Sequence, residues 1–246
     1  MRATFLGTNG WYDTALGNTT CALAETETEY IVLDAGFGIA KLDELISGSK
    51  PVYIFISHTH IDHVCGLHAL NKFAFPQGVK ICVARDMKSH LKRLLDWPYS
   101  LPPSKLKMKT EIIDYEAMRK LAPHFSVYPL VHSAPCRGLR VEAEGKVLSY
   151  APDTGLCPAL YRLCKNADLM IAECSYLPGE RIPHWPHLNP QDAAIAAKRS
   201  GAKKLYLTHF EAKRYNSPRL RAQAQATARK IFKNSFAAKD GVSVCA

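Results

Sequence analysis

The chain has 246 residues, 47% of them hydrophobic, and 32 Lys and Arg against 22 Asp and Glu give a net charge of +10. That length and composition suit one large α/β domain, residues 1–246, with a full core. No stretch reaches the length of a bilayer span, and residues 1–20 lack a signal-peptide apolar core, so the expectation is a cytoplasmic protein with no membrane role.

In chain order, Thr4–Thr8 reads as a strand ending in a glycine turn, and Tyr30–Asp34 as a second strand closed by Ala35-Gly36. Helical spacing follows at Ile39, Leu42, Leu45 and Ile46. The run from Pro51 to Ser57 is short, rich in β-branched and aromatic residues, and preceded by the turn Gly48-Ser49-Lys50, which predicts a buried strand. A helix is expected near 66–75, a strand at 79–84 and a helix at 86–95; Pro98, Pro102 and Pro103 make 97–104 a loop. Strands are expected near 106–113, 125–131, 138–143 and 146–151. The order then becomes helix 157–165, strand 168–172, loop 175–188, helix 190–200, strand 203–208 and helix 219–233. Sheet-rich stretches alternating with single helices predict two sheets with helices outside, a layered α/β sandwich.

The strand at 51–57 runs directly into His58-Thr59-His60-Ile61-Asp62-His63, four metal-ligating side chains in six positions. Side chains at i and i+2 of an extended chain point the same way, so His58 and His60 can share one metal. Asp62 and His63 follow the bend and can aim at a second point nearby. Three further candidates also end apolar strands: His132 after 127–131, Asp153 after 147–151 and His209 after 204–208. Together they suggest a shared rim of strand ends, where active sites commonly lie. The eight cysteines form no C-x-x-C pair and sit mostly in apolar runs, which reads as buried reduced thiols, Cys65 included. Twelve Lys or Arg against one acid, Glu211, fall within 198–239, a pattern that fits either a polyanion-handling surface or a solvated basic helix.

The H-x-H-x-D-H segment, followed in order by His132, Asp153 and His209, resembles the metallo-β-lactamase superfamily over nearly the whole chain. The resemblance implies a four-layer αββα sandwich and a two-metal site. His58, His60 and His132 would hold one ion, Asp62, His63 and His209 the other, and Asp153 would bridge. Imidazole and carboxylate ligands favour two Zn²⁺, with Mn²⁺ or Fe as alternatives. Two adjacent cations can hold a hydroxide at neutral pH and polarise the bond it attacks, and Asp62 would also orient that hydroxide.

Within the superfamily, His132-Ser133-Ala134-Pro135, Tyr150-Ala151-Pro152-Asp153-Thr154, Ala172-Glu173-Cys174-Ser175-Tyr176 and His187-Leu188-Asn189-Pro190 are similar to ribonuclease Z-type phosphodiesterases. This implies that His187 donates a proton to the leaving oxygen and that Glu173 holds its imidazole. His184 stands three residues away but fits that pattern less well, and His68, His90 and His124 match no motif. His132 and Asp153 lie only 21 positions apart, room for a hairpin but not for the long arm with which transfer-RNA-processing members grip RNA. The shorter gap is similar to that of armless enzymes that cleave small phosphodiesters. The expected activity is hydrolysis of a small or cyclic nucleotide-like phosphodiester. A ribonuclease Z-like cut at pre-transfer-RNA 3′ ends, with RNA as partner, is the alternative, and a lactone or thioester hydrolase on the same scaffold is a further one. The resemblance also suggests a homodimer.

Overall fold

The computed structural model describes all 246 residues. Strands β1 (Arg2–Gly7), β2 (Asn9–Gly10), β3 (Cys21–Glu25), β4 (Tyr30–Leu33), β5 (Val52–Phe55), β6 (Val79–Val83) and β7 (Thr110–Asp114) come first. All but β2 form one sheet in the order β1-β3-β4-β5-β6-β7, with Ser243–Cys245 added outside β1. Pairing is antiparallel through β4 and parallel from β4 to β7. The second sheet uses β8 (Phe125–Leu130), β9 (Cys136–Ala143), β10 (Lys146–Ala151), β11 (Leu169–Glu173), β12 (Leu205–Thr208) and β14 (Ser235–Ala237), in the order β14-β12-β11-β10-β9-β8. Strand β13 (Phe210–Glu211) pairs only with β2.

The burial pattern explains the layering. β4 and β5 are buried on both faces, because alternate residues serve different cores. Ile31, Leu33, Tyr53 and Phe55 point inward to meet Leu139, Leu148 and Ile171 of the other sheet. Val32 and Ile54 point outward to Ile39, Leu42, Leu67, Leu70 and Leu91. On the second sheet, Met170, Ala172, Leu205 and Leu207 face an alanine-rich helical layer. That layer contains α4 (Pro158–Leu163), α5 (Pro190–Ser200) and α6 (Pro218–Arg229). Small side chains on α5 let it lie close to the sheet, and each fully buried leucine or phenylalanine of the core contributes about 1.5–3 kcal/mol. The fold is the four-layer αββα sandwich of the metallo-β-lactamase type.

Several local features differ from the sequence reading. Residues Phe37–Glu44 and Cys65–Lys72 are 3₁₀ rather than α-helical turns. Helix α2 is confined to Lys88–Leu94, and α3 (Tyr115–Leu121) occupies a stretch with no predicted element, N-capped by Asp114 through the Ala117 N–H at 2.9 Å. Strands β3, β14 and the C-terminal β15 (Ser243–Cys245) were not predicted either. β3 has alternate alanines where β-branched residues would signal a strand, and the other two are three residues each. No helix is long and apolar enough to cross a membrane.

Candidate metal centre

The C-terminal ends of the parallel strands of both sheets meet at one rim. β5 delivers His58 and His60, and α1 (Ile61–Val64) turns the chain so that Asp62 and His63 point back into the same space. β8 leads to His132, β10 to Asp153, β11 ends on Glu173 and β12 precedes His209. All seven sequence-predicted ligand candidates therefore converge, although they come from segments as much as 151 residues apart.

They form two groups around one carboxylate. Asp153 Oδ2 lies 3.8 Å from His58 Nε2 and 3.6 Å from His132 Nε2, and His60 Nδ1 is 3.3 Å from His132 Nε2. Asp153 Oδ1 lies 3.4 Å from His63 Nε2 and 3.3 Å from His209 Nε2. In that second group His63 Nε2 and His209 Nε2 are 3.0 Å apart, and His209 Nε2 is 3.1 Å from Asp62 Oδ2. Ligands about 2.0–2.1 Å from one tetrahedral ion stand about 3.3 Å from each other, so both groups have the right spacing.

Two atoms argue independently for cations. His58 Nε2 and Asp153 Oδ1 are fully buried and have no hydrogen-bond partner, which is costly unless something else satisfies them. Protonation points the same way. Burial holds His58, His60 and His132 below the ordinary histidine range, so their rings are neutral and offer lone pairs. Burial also opposes charge on His63 and His209, but Asp153, with Asp62, outweighs it and raises both. Protons crowd between these ring nitrogens and carboxylates where a divalent ion could stand, so metal loading should release protons. The cluster is compatible with a dinuclear metal site.

Partners behind the rings fix their orientation, and sequence reasoning missed most of them. Asp34 is fully buried at the end of β4, with Oδ2 2.8 Å from His63 Nδ1. It also accepts hydrogen bonds from the Ser57 N–H and hydroxyl, each at 2.7 Å, and from the Tyr150 hydroxyl at 2.6 Å. An acid closing the apolar run Tyr30-Ile31-Val32-Leu33 was the available signal. Ser57 Oγ is 3.0 Å from His58 Nδ1, and Ser175 Oγ is 2.9 Å from His209 Nδ1. The Trp11 N–H donates to Asp62 Oδ2 at 2.7 Å. Trp11, Asp34 and His209 all hold left-handed backbone, with φ of 78°, 57° and 51°. Such conformations are unfavourable away from glycine and cluster at functional sites. Gly10 lets this loop approach, since a Cβ there would fall 2.6 Å from the His209 ring.

Glu173 and His187 also meet. Glu173 is completely buried, and its Oε1 lies 2.8 Å from His187 Nδ1 while accepting the Thr154 and Leu188 N–H groups at 3.0 Å each. Its Oε2 accepts the Ser175 N–H. His187 Nε2 points toward Asp153 Oδ2, 4.0 Å away. Burial disfavours the imidazolium, but the Glu173 charge and hydrogen bond prevail and raise His187 to about 9. The loop is held by helix α5, whose N-cap Asn189 accepts the Asp192 N–H at 2.9 Å and donates to Glu180 O at 3.0 Å. His184, His68 and His90 are exposed and His124 lies beside Glu29, all apart from the cluster, and Cys65 Sγ packs 3.6 Å from Thr19 Oγ1.

Residues 29–210, which include every one of these groups, match the Beta-lactamase superfamily domain. The chain belongs to that superfamily. It is 27% identical to a ribonuclease Z from Ignicoccus hospitalis, over 85% of this chain and 86% of the relative. Among solved structures it is similar to the metallo-beta-lactamase fold protein YhfI from Bacillus subtilis, at a TM-score of 0.81 and 20% identity over 99% of both chains. Human tRNase Z, short form, aligns at 0.74 and 21% identity, covering 100% of this chain and 99% of that one. A diphosphatase from the PhnP family aligns at 0.72 and 17%, covering 100% and 97%. The chain thus belongs to a metallo-hydrolase family and is similar in sequence to a ribonuclease Z, while its likeness to the PhnP-family diphosphatase is one of fold.

Proposed function

We propose that the protein is a dinuclear metal-dependent phosphodiesterase acting on a small or cyclic nucleotide-like phosphodiester. His58, His60 and His132 would hold one ion and Asp62, His63 and His209 the other, with Asp153 shared between the two groups; two Zn²⁺ are the first choice for this donor set, ahead of Mn²⁺ or Fe. When bound, two such ions supply a hydroxide at neutral pH and neutralise phosphoryl oxygens. Asp62, fixed by the Trp11 N–H, orients the attacking group, and burial notwithstanding, His63 and His209 hold it well below the ordinary carboxylate range as an acceptor.

The Glu173–His187 pair carries the reading. An alkoxide leaving phosphorus needs a proton, and His187 presents Nε2 toward the centre with Glu173 stabilising the charged ring. Glu173 cannot swing away, because three backbone N–H groups grip its carboxylate. A lactone or thioester hydrolase on this scaffold has no comparable need for a buried imidazolium.

A ribonuclease Z-like cut of pre-transfer-RNA is the second reading, favoured by the Ignicoccus relative. Two observations weigh for the small substrate. β9 and β10 form a plain hairpin turning at Glu144-Gly145, with no arm between His132 and Asp153. Of the twelve basic residues in 198–239, only Arg214 lines the cleft, and it is bound by both Glu180 and Glu211.

The test is leaving-group dependence with purified, zinc-loaded protein. His187→Ala should slow hydrolysis of an alkyl diester by about 10²–10⁴-fold, yet slow bis-p-nitrophenyl phosphate far less, because nitrophenolate departs without a proton. Equal losses on both substrates would remove His187 as the acid.

A further inference from the structure

The cleft above the centre encloses only about 80 Å³, enough for a phosphoryl group and little more. The rest of any phosphodiester must therefore lie across the rim, and the rim is unusual. Two tryptophans line it, Trp11 and Trp185. Each is tied by its own backbone to the site and stays at least partly in solvent. Trp11 spends its N–H on Asp62 and holds φ at 78°, while the residue is 64% exposed. The Trp185 carbonyl accepts the Tyr176 hydroxyl, its N–H donates to Ile182 O at 3.1 Å, and the residue is 39% exposed. The indole of Trp185 lies parallel to the His60 ring, with 3° between planes and 6.2 Å between centroids, and edge-on to His132.

An exposed indole contributes little to folding, and a strained left-handed backbone opposes it. Two of them at the mouth of one cleft form a platform for a flat partner. The rim offers no strong alternative means of recognition. Arg214 is neutralised by two carboxylates, and Ile182 and Tyr176 complete the wall. We infer that Trp11 and Trp185 are substrate-binding residues that stack on a planar ring carried by the phosphodiester, so that the substrate is a nucleotide whose base rests on the rim. This deepens, and rests on, the phosphodiesterase reading, and it favours single nucleotides over a polyanionic chain.

Two measurements test it together. In the first, KM is compared for a cyclic nucleotide and for the same cyclic ribose phosphate without its base. The base should lower KM by about tenfold, the lower range of what one base stacked on an aromatic side chain is worth. Trp11→Ala and Trp185→Ala should each shrink that ratio toward one. Trp11→Phe and Trp185→Phe, which keep a ring on the same backbone, should restore most of it, and Trp97→Ala, at an exposed site outside the cleft, should change nothing. In the second, AMP but not ribose 5-phosphate should quench tryptophan fluorescence, and both Ala variants should reduce the quench. Identical handling of the two cyclic phosphates, or equal effects of the Ala and Phe variants, overturns the inference. If neither phosphate is hydrolysed, the phosphodiesterase reading fails. Quenching then decides alone: selective quenching by AMP keeps the ring site, and equal or absent quenching removes it.

Discussion

The two halves of the centre are built differently. In the Asp62, His63 and His209 half every side chain is buried, and each has a fixed partner behind it in the Trp11 N–H, Asp34 and Ser175. In the other half only His58 has a comparable partner, Ser57. His60 is half-buried, and His132, whose side chain is shielded, has Nδ1 against only the Pro186 carbonyl at 3.4 Å. The Asp62, His63 and His209 half is pre-arranged, a closed half, and the other, open half lies beside Trp185 and His187, while His60, Asp62 and His209 from both halves line the cleft. Pre-arrangement by outer partners raises metal affinity, so the halves should bind unequally.

The strongest way to break this comparison is Asp153→Asn, because Asp153 serves both halves with separate oxygens. Metal content should fall below two ions per chain by elemental analysis, and turnover should vanish. Two retained ions with activity intact would mean that the halves do not depend on a bridge.

Asp34→Asn should come next and act mainly on the closed half, which it touches directly through His63, and less on His58, which it reaches only by way of Ser57. It should weaken the tighter ion by about 10–100-fold in a competitive chelator titration, the usual effect of losing such a partner. The wild-type protein should lose metal in two steps, and the variant in steps that nearly merge. One step in both proteins contradicts the asymmetry.

The open half should announce itself in the pH profile. His187 is raised to about 9, so its protonated form persists below that value and is lost as pH rises through it. The rate with an alkyl diester should therefore fall on the alkaline side near pH 9. Glu173→Gln removes the anion that outweighs burial, so this limb should move to lower pH. An unmoved limb assigns it to some other group. Ser175→Ala should be mildest, about fivefold in affinity for the closed-half ion, in keeping with one hydrogen bond of about 1 kcal/mol.

Much of the candidate cluster was legible because its residues are local or end clear strands. His58 to His63 lie within six positions, and β8, β10 and β12 are apolar runs that stop on His132, Asp153 and His209 with two intervening residues or fewer. The layered fold followed from the same strands. What was not legible depends on distance. Ser175 meets His209 across 34 positions and Trp11 meets Asp62 across 51, and neither contact leaves a local pattern. The left-handed backbone at Trp11 is equally silent, since a bulky Trp does not advertise it. The 3₁₀ turns at 37–44 and 65–72 carry the same apolar spacing as α-helix, and packing against the sheet, rather than propensity, selects the tighter form.

The most direct test offers zinc-loaded protein an alkyl phosphodiester, a lactone and a thioester side by side, with and without chelator. The phosphodiester should be hydrolysed in preference to the other two, and chelation should abolish the activity. An inert phosphodiester beside a rapidly cleaved lactone or thioester would contradict the account.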